Sequence, residues 1–125
     1  MENSFDWLSY ISLADILAKE DSEECYRSAT SRAYYGVLGT LTEALEKLNV
    51  TFPQVNIHHE LVFWFRHQQD AGFGKFGDRL HSLRLDRNAA DYDGKDTFDK
   101  NRMMKNLTTA HELIKQARVL NIITE

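Results

Sequence analysis

From Ser22 to Leu48 the residues Tyr26, Ala29, Ala33, Val37, Leu41, Ala44 and Leu48 recur at intervals of three and four without a break. That spacing follows one side of an α-helix and does not fit a strand, whose faces alternate every second residue. A second seam, Met103, Leu107, Ala110, Ile114 and Ala117, keeps the same alternation. The chain holds one proline, Pro53, among its 125 residues, so neither segment contains a helix breaker. These features predict an all-α chain, an up-and-down bundle of four to five helices making one domain over residues 1–125.

Five helices follow from the periodicity. The first covers about Ser4 to Lys19, with Trp7, Tyr10, Ala14 and Leu17 on one side and Asp6 in the first turn, where it complements the helix dipole. The second covers about Ser22 to Leu48 and is closed by Asn49 and Pro53. Its Gly36 and Gly39 each cost about 1 kcal/mol relative to alanine, a loss that the close approach of another helix would offset. The third, about His58 to Gln69, carries Leu61-Val62-Phe63-Trp64-Phe65, apolar on all sides and therefore facing the core on one side and a partner or another helix on the other. Ala71 to Gly77 reads as a glycine-punctuated connection without the spacing of a phosphate-cradling loop. The fourth helix runs from about Lys75 to Ala90 and stops near Asp93-Gly94, where glycine would supply a left-handed cap. The fifth starts at Asp96 or Thr97 and ends near Leu120.

Composition narrows the function. No stretch approaches the roughly 18 consecutive apolar residues of a membrane span, and Met1-Glu2-Asn3-Ser4 does not open a basic-then-apolar leader, so a cytoplasmic protein without membrane contact is expected. The single cysteine, Cys25, cannot close an internal disulfide or build a cysteine-based zinc site. No cofactor is implied, and the adjacent His58 and His59 make a poor metal pair because neighbouring helical side chains diverge. A net charge of -4 argues against sequence-independent grip on nucleic acid, which needs Lys and Arg on phosphates. The average conceals an asymmetry, with Arg66, Lys75, Arg79, Arg84 and Arg87 in the third quarter and Glu20, Asp21, Glu23 and Glu24 early.

The candidate site lies in Leu83-Arg84-Leu85-Asp86-Arg87-Asn88-Ala89-Ala90-Asp91-Tyr92. Leu80, Leu83, Arg87 and Ala90 form one helical line, and His81, Arg84, Asn88 and Asp91 the line beside it. Arg87 thus interrupts an apolar stripe. A guanidinium keeps its charge, so it needs an acceptor, and Asp91 one turn on is the nearest. In the second helix Arg32 stands next to Tyr34 and Tyr35 in a segment dense with small residues.

Ser31-Arg32-Ala33-Tyr34-Tyr35 together with the Arg87-x-x-Ala90-Asp91-Tyr92 signature resembles the HEPN superfamily (higher eukaryotes and prokaryotes nucleotide-binding), in its small stand-alone branch. The resemblance implies a helical bundle that dimerises about its motif helix. Many members are metal-independent endoribonucleases, toxins paired with a nucleotidyltransferase antitoxin or parts of antiphage defence. The family's active pattern is an arginine, a polar residue and then a histidine. Arg87 and Asn88 fit the first two positions, but Tyr92, Asp93 and Gly94 stand where the histidine would be.

Tyr92, with an ordinary pKa of about 10, is a poor base at neutral pH. The resemblance therefore implies RNA or nucleotide-phosphate binding with catalysis weak or absent: Arg87 on phosphate, Asn88 orienting it, Asp91 steadying Arg87, and Arg84, Arg32, His81 and Tyr92 around them. Two other readings stay open. One is a working ribonuclease that uses His81 or Tyr92. The other makes the Arg87–Asp91 pair a structural staple in an adaptor for a nucleotidyltransferase, whose chemistry would also suit modification of Tyr92.

Overall fold

In the computed structural model, which describes residues 4–124, five helices account for the ordered elements. They are α1 (Leu8–Leu17), α2 (Glu23–Lys47), α3 (Ile57–Arg66), α4 (Ala71–Tyr92) and α5 (Lys100–Val119). The fold is an all-helical bundle around one core, to which α2 contributes Ala33, Tyr34, Val37 and Leu41 and α5 contributes Met103, Ala110, Leu113 and Ala117.

Close approach explains the helix-interior glycines. A Cβ on Gly36 would lie 2.6 Å from Cγ1 of Ile11, and one on Gly39 would lie 2.3 Å from the Trp7 indole. Helix α1 therefore sits directly on the α2 backbone, burying Ile11 and Ala14 while Trp7, Tyr10 and Leu17 remain half-buried. It starts later than its periodicity suggests. Asp6 precedes it and accepts a hydrogen bond from the Leu8 amide.

The segment Ala71–Gly77 is the start of α4 and not a connection. Asp70 caps it by accepting from the Gly72 amide at 2.7 Å, and Phe76 stacks on Phe65 with ring centres 4.5 Å apart. A Cβ on Gly77 would fall 2.9 Å from Cβ of Phe65, so here the glycine marks helix contact, and aromatic burial overrides local propensity.

The other end of α4 also departs from expectation. No glycine among the described residues has a positive φ, so Gly94 is not a left-handed cap. Arg27 of α2 takes that role: its Nη1 donates to the carbonyls of Ala89, Ala90 and Asp93, and its Nη2 to that of Asp96. Helix α5 is capped by Asp99, whose carboxylate accepts from the Arg102 amide at 2.8 Å, and not by Asp96 or Thr97. Asp96 instead receives Arg102 Nη1 at 2.8 Å, while Arg102 Nη2 reaches Asp86 on α4 at the same distance. Burial works to raise the Asp86 pKa, but hydrogen bonds from Arg102 and Asn106 outweigh it and hold the carboxyl below its ordinary value.

Contacts fix the helix directions. Helix α2 runs antiparallel to α4, since Arg27 meets Ala90 and Tyr34 meets Arg87. Helix α3 is also antiparallel to α4, since Arg66 pairs with Asp78 near the start of α4 while His59 faces Arg84 across a cleft further along. Helices α2 and α3 therefore run the same way. The connection between them leaves α2 through Asn49, in the left-handed region at φ 65°, and doubles back past Leu38 and Tyr35. It enters α3 through Asn56, also left-handed at φ 59°. This return brings His58 beside Tyr34.

Candidate functional site

The end of α4, the first half of α2 and the start of α3 meet around Arg87. Leu80, Leu83, Arg87 and Ala90 are all buried, as the helical line requires, and Arg87 is 5% exposed. Its guanidinium carbon lies 5.4 Å from the ring centre of Tyr34, 5.1 Å from that of Tyr35 and 5.8 Å from that of Tyr92. Such a tyrosine cage suits a cation that has given up much of its water. Arg87 Nη1 donates to Oδ2 of Asp91 at 3.4 Å, and Ser31 Oγ donates to the same oxygen at 3.0 Å. The Nε of Arg87 is buried without a partner among the described residues.

Tyr34 is fully buried, and its hydroxyl lies 2.6 Å from Nδ1 of His58, with the two rings stacked. Burial pushes the Tyr34 hydroxyl above its ordinary pKa, against the pull of Arg84 and Arg87, so it keeps its proton. Burial and the same two arginines lower the His58 pKa to about 4, so the imidazole is neutral near neutrality. A phenol can donate to the ring or accept from it, according to the histidine tautomer. Where the phenol donates to Nδ1, the ring proton of His58 sits on Nε2 and leaves an N–H for another acceptor.

A base whose folded pKa lies below its unfolded one binds fewer protons when folded, so stability falls as pH drops from 6.5 towards 4. Through His58 alone the loss at the acid end is roughly 1–2 kcal/mol after discounting for its part exposure. Denaturant midpoints of the wild type and His58→Gln measured over this interval should differ in slope. In proton NMR the His58 ring should titrate near 4 and move upward in Arg84→Ala. An ordinary titration near 6.5 in the wild type would contradict the assignment.

The sequence-predicted residues divide into three groups. Arg87, Asp91 and Tyr92 come together, with Tyr92 at 78% exposure forming the outer wall. Arg32 joins them through a shared aromatic neighbour, Tyr35, and Arg84 stands one turn before Arg87 on α4. Arg84 acts electrostatically on both Tyr34 and His58, and Arg32 stacks between Tyr10 at 4.8 Å and Tyr35 at 5.6 Å. Among the described residues neither has a carboxylate partner, and the Arg84 Nε is buried without an acceptor. His81 lies apart, in a cleft between α3 and α4 that it shares with Arg84. Asn88 is half-buried, and its side chain makes no hydrogen bond among the described residues.

Three contributors were not legible as site residues in the chain. His58 is separated from the motif by a loop of irregular path, and Ser31, although part of the Ser31–Tyr35 motif, carries no sign of its bond to Asp91. Arg27 resembles any helix-surface cation. The one usable signal is Tyr34, whose hydroxyl needs a hydrogen-bond partner once the ring is buried. His58 and His59 do diverge, His58 onto Tyr34 and His59 outward, its ring 6.4 Å from that of Phe63. No helix among the described residues is long and apolar enough to cross a membrane. Comparison of this chain with known protein families, with curated proteins and with solved structures finds no match.

Proposed function

We propose that this protein binds the phosphate groups of RNA or of a nucleotide at the junction of α2, α3 and α4, as a homodimer paired along α4. The observation that carries the reading is the surplus of positive charge at one point of an acidic chain. Arg32 and Arg87 stand over Tyr35, Arg84 precedes Arg87 by one turn of α4, and among the described residues only Arg87 of the three has a carboxylate neighbour. With the Tyr34 phenol donating to Nδ1, Nε2–H of His58 adds a neutral donor. Arg87 is enclosed, so Arg84 makes the principal phosphate contact while Arg87 sets the field behind it. The resemblance of Ser31–Tyr35 and Arg87–Tyr92 to the HEPN superfamily supports a role in a prokaryotic toxin–antitoxin or antiphage defence system, beside a partner such as a nucleotidyltransferase.

Fluorescence-anisotropy titration of short RNA over a range of salt tests this. Wild-type protein should bind with steep salt dependence, and Arg84→Ala, which breaks no ion pair among the described residues, should weaken binding about tenfold or more and reduce the salt slope by about one. Unchanged affinity in Arg84→Ala would refute the reading.

A second reading has an observation of its own, since a neutral imidazole stands beside two arginines. Cleavage by the ribose 2'-hydroxyl needs a group to move its proton and a cation to steady charge on the phosphate. In that case His58, and not His81 or Tyr92, moves the proton, and RNA is cut in EDTA by wild type but not by His58→Ala.

A further inference from the structure

The outer side of α3 holds a feature that the phosphate site does not use. His59, Phe63 and His67 follow one another at intervals of four on an exposed face, and Phe63 is 52% exposed. The His67 ring stacks on Phe63 with centres 3.8 Å apart and planes 22° from parallel, and its Nδ1 lies 2.9 Å from the Phe63 carbonyl. The pair is thus a flat, fixed surface and not two free side chains. Across the cleft α4 contributes His81 and Arg84, and Val62 forms part of the lining. Arg66 stands at the same cleft, its Nε 2.8 Å from Asp78. Among the described residues no Asp or Glu lines the cleft itself, and the one carboxylate at its edge, Asp78, is paired with Arg66, which leaves Arg84 as the cation without a carboxylate partner.

A ring stack beside the cation of Arg84 has the chemistry of a single-stranded nucleic-acid groove, where bases stack on aromatic faces while arginines follow the backbone. Arg84 lines this cleft and stands one turn before Arg87 on α4, so the cleft adjoins the phosphate site. We propose that the Phe63–His67 stack is a base-stacking platform, and that a strand whose phosphate sits on Arg84 lays its neighbouring base on this platform. The proposal rests on the phosphate-binding reading and specifies its ligand: a single strand with unpaired bases, in preference to a free phosphate or a duplex.

The test compares two labelled probes of equal charge, a short oligoadenylate RNA and an abasic ribose-phosphate strand of the same length, against the full chain. Wild type should prefer the oligoadenylate. Phe63→Ala should weaken oligoadenylate binding roughly 5- to 150-fold and leave the abasic strand unaffected, so that the preference disappears, while Phe63→Trp should keep it. His67→Ala, at an exposed position, serves as a second variant should Phe63→Ala fold poorly. A preference that survives both alanine variants overturns the platform, and if Arg84→Ala meanwhile weakens both probes, the phosphate reading stands alone. If Arg84→Ala weakens neither probe, the phosphate reading has failed, and the platform falls with it. Light scattering on the same samples covers the remaining occupant: a Phe63→Ala variant that changes from dimer to monomer shows this face to be a contact between copies, and the proposal fails.

Discussion

Asp91→Ala should destabilise the fold by about 3 kcal/mol, more than Arg87→Met does, although Asp91 is the more exposed member of the pair. The asymmetry follows from what each substitution leaves behind. Without Asp91, the Arg87 guanidinium remains enclosed by Tyr34 and Tyr35, its side chain 6% exposed, with no carboxylate and with Nε already unpartnered. Without Arg87, the Asp91 carboxylate turns to water and keeps Ser31, at a side-chain exposure of 26%. Methionine also fills much of the space between the rings. The 3.4 Å separation of the pair keeps the estimate at the lower end of the range for a broken buried ion pair. Denaturant unfolding of the two single variants and the double variant decides it. If Arg87→Met costs as much as Asp91→Ala, ring packing and not charge compensation governs the pocket.

Arg27→Ala should cost a similar amount, about 3 kcal/mol, because charged donors to carbonyls contribute about 1.5–3 kcal/mol each and do not add fully. One guanidinium serves the carbonyls of Ala89, Ala90 and Asp93 at the end of α4 together with that of Asp96, those of Ala89 and Asp93 also accepting the amides of Asp93 and Asp96. Arg27 also lies 5.6 Å from the ring centre of Phe98, whose other neighbour is Arg102 at 4.5 Å. Arg27→Lys should recover only part of the loss, since an ammonium lacks the forked donor geometry. Hydrogen exchange at the amides of Asp91 to Asp93 should quicken in both variants. If Lys restores full stability, charge at the helix end suffices and the fork is immaterial.

How far the chain could be read depended on the distance over which its physics acts. The burial of Leu80, Leu83, Arg87 and Ala90 and the Arg87–Asp91 pairing are properties of one helix repeating every 3.6 residues, and counting finds them. The close seat of α1 on Gly36 and Gly39 was likewise legible, because a helix-interior glycine needs a reason. The same logic fails at Ala71–Gly77, where the glycines read as a connection although Phe73 and Phe76 have Phe65 to pack against. Gly94 misled in the opposite way. A remote arginine closes α4, and no local pattern announces a partner more than 60 positions away. Of the candidate site, the α4 half was readable from periodicity. The α2 and α3 half depends on how the backbone returns between them.

That return makes the connector from Leu48 to Asn56 part of the site, though it contributes none of the charged groups. The left-handed asparagines at its ends, Asn49 and Asn56, set where α3 begins, and hence which ring meets the Tyr34 phenol. A homologue could share every helix and both arginines yet thread this passage differently, and it would then present another side chain in place of the imidazole. Inheritance of activity in such proteins would have to be judged from the threading as well as from the motif.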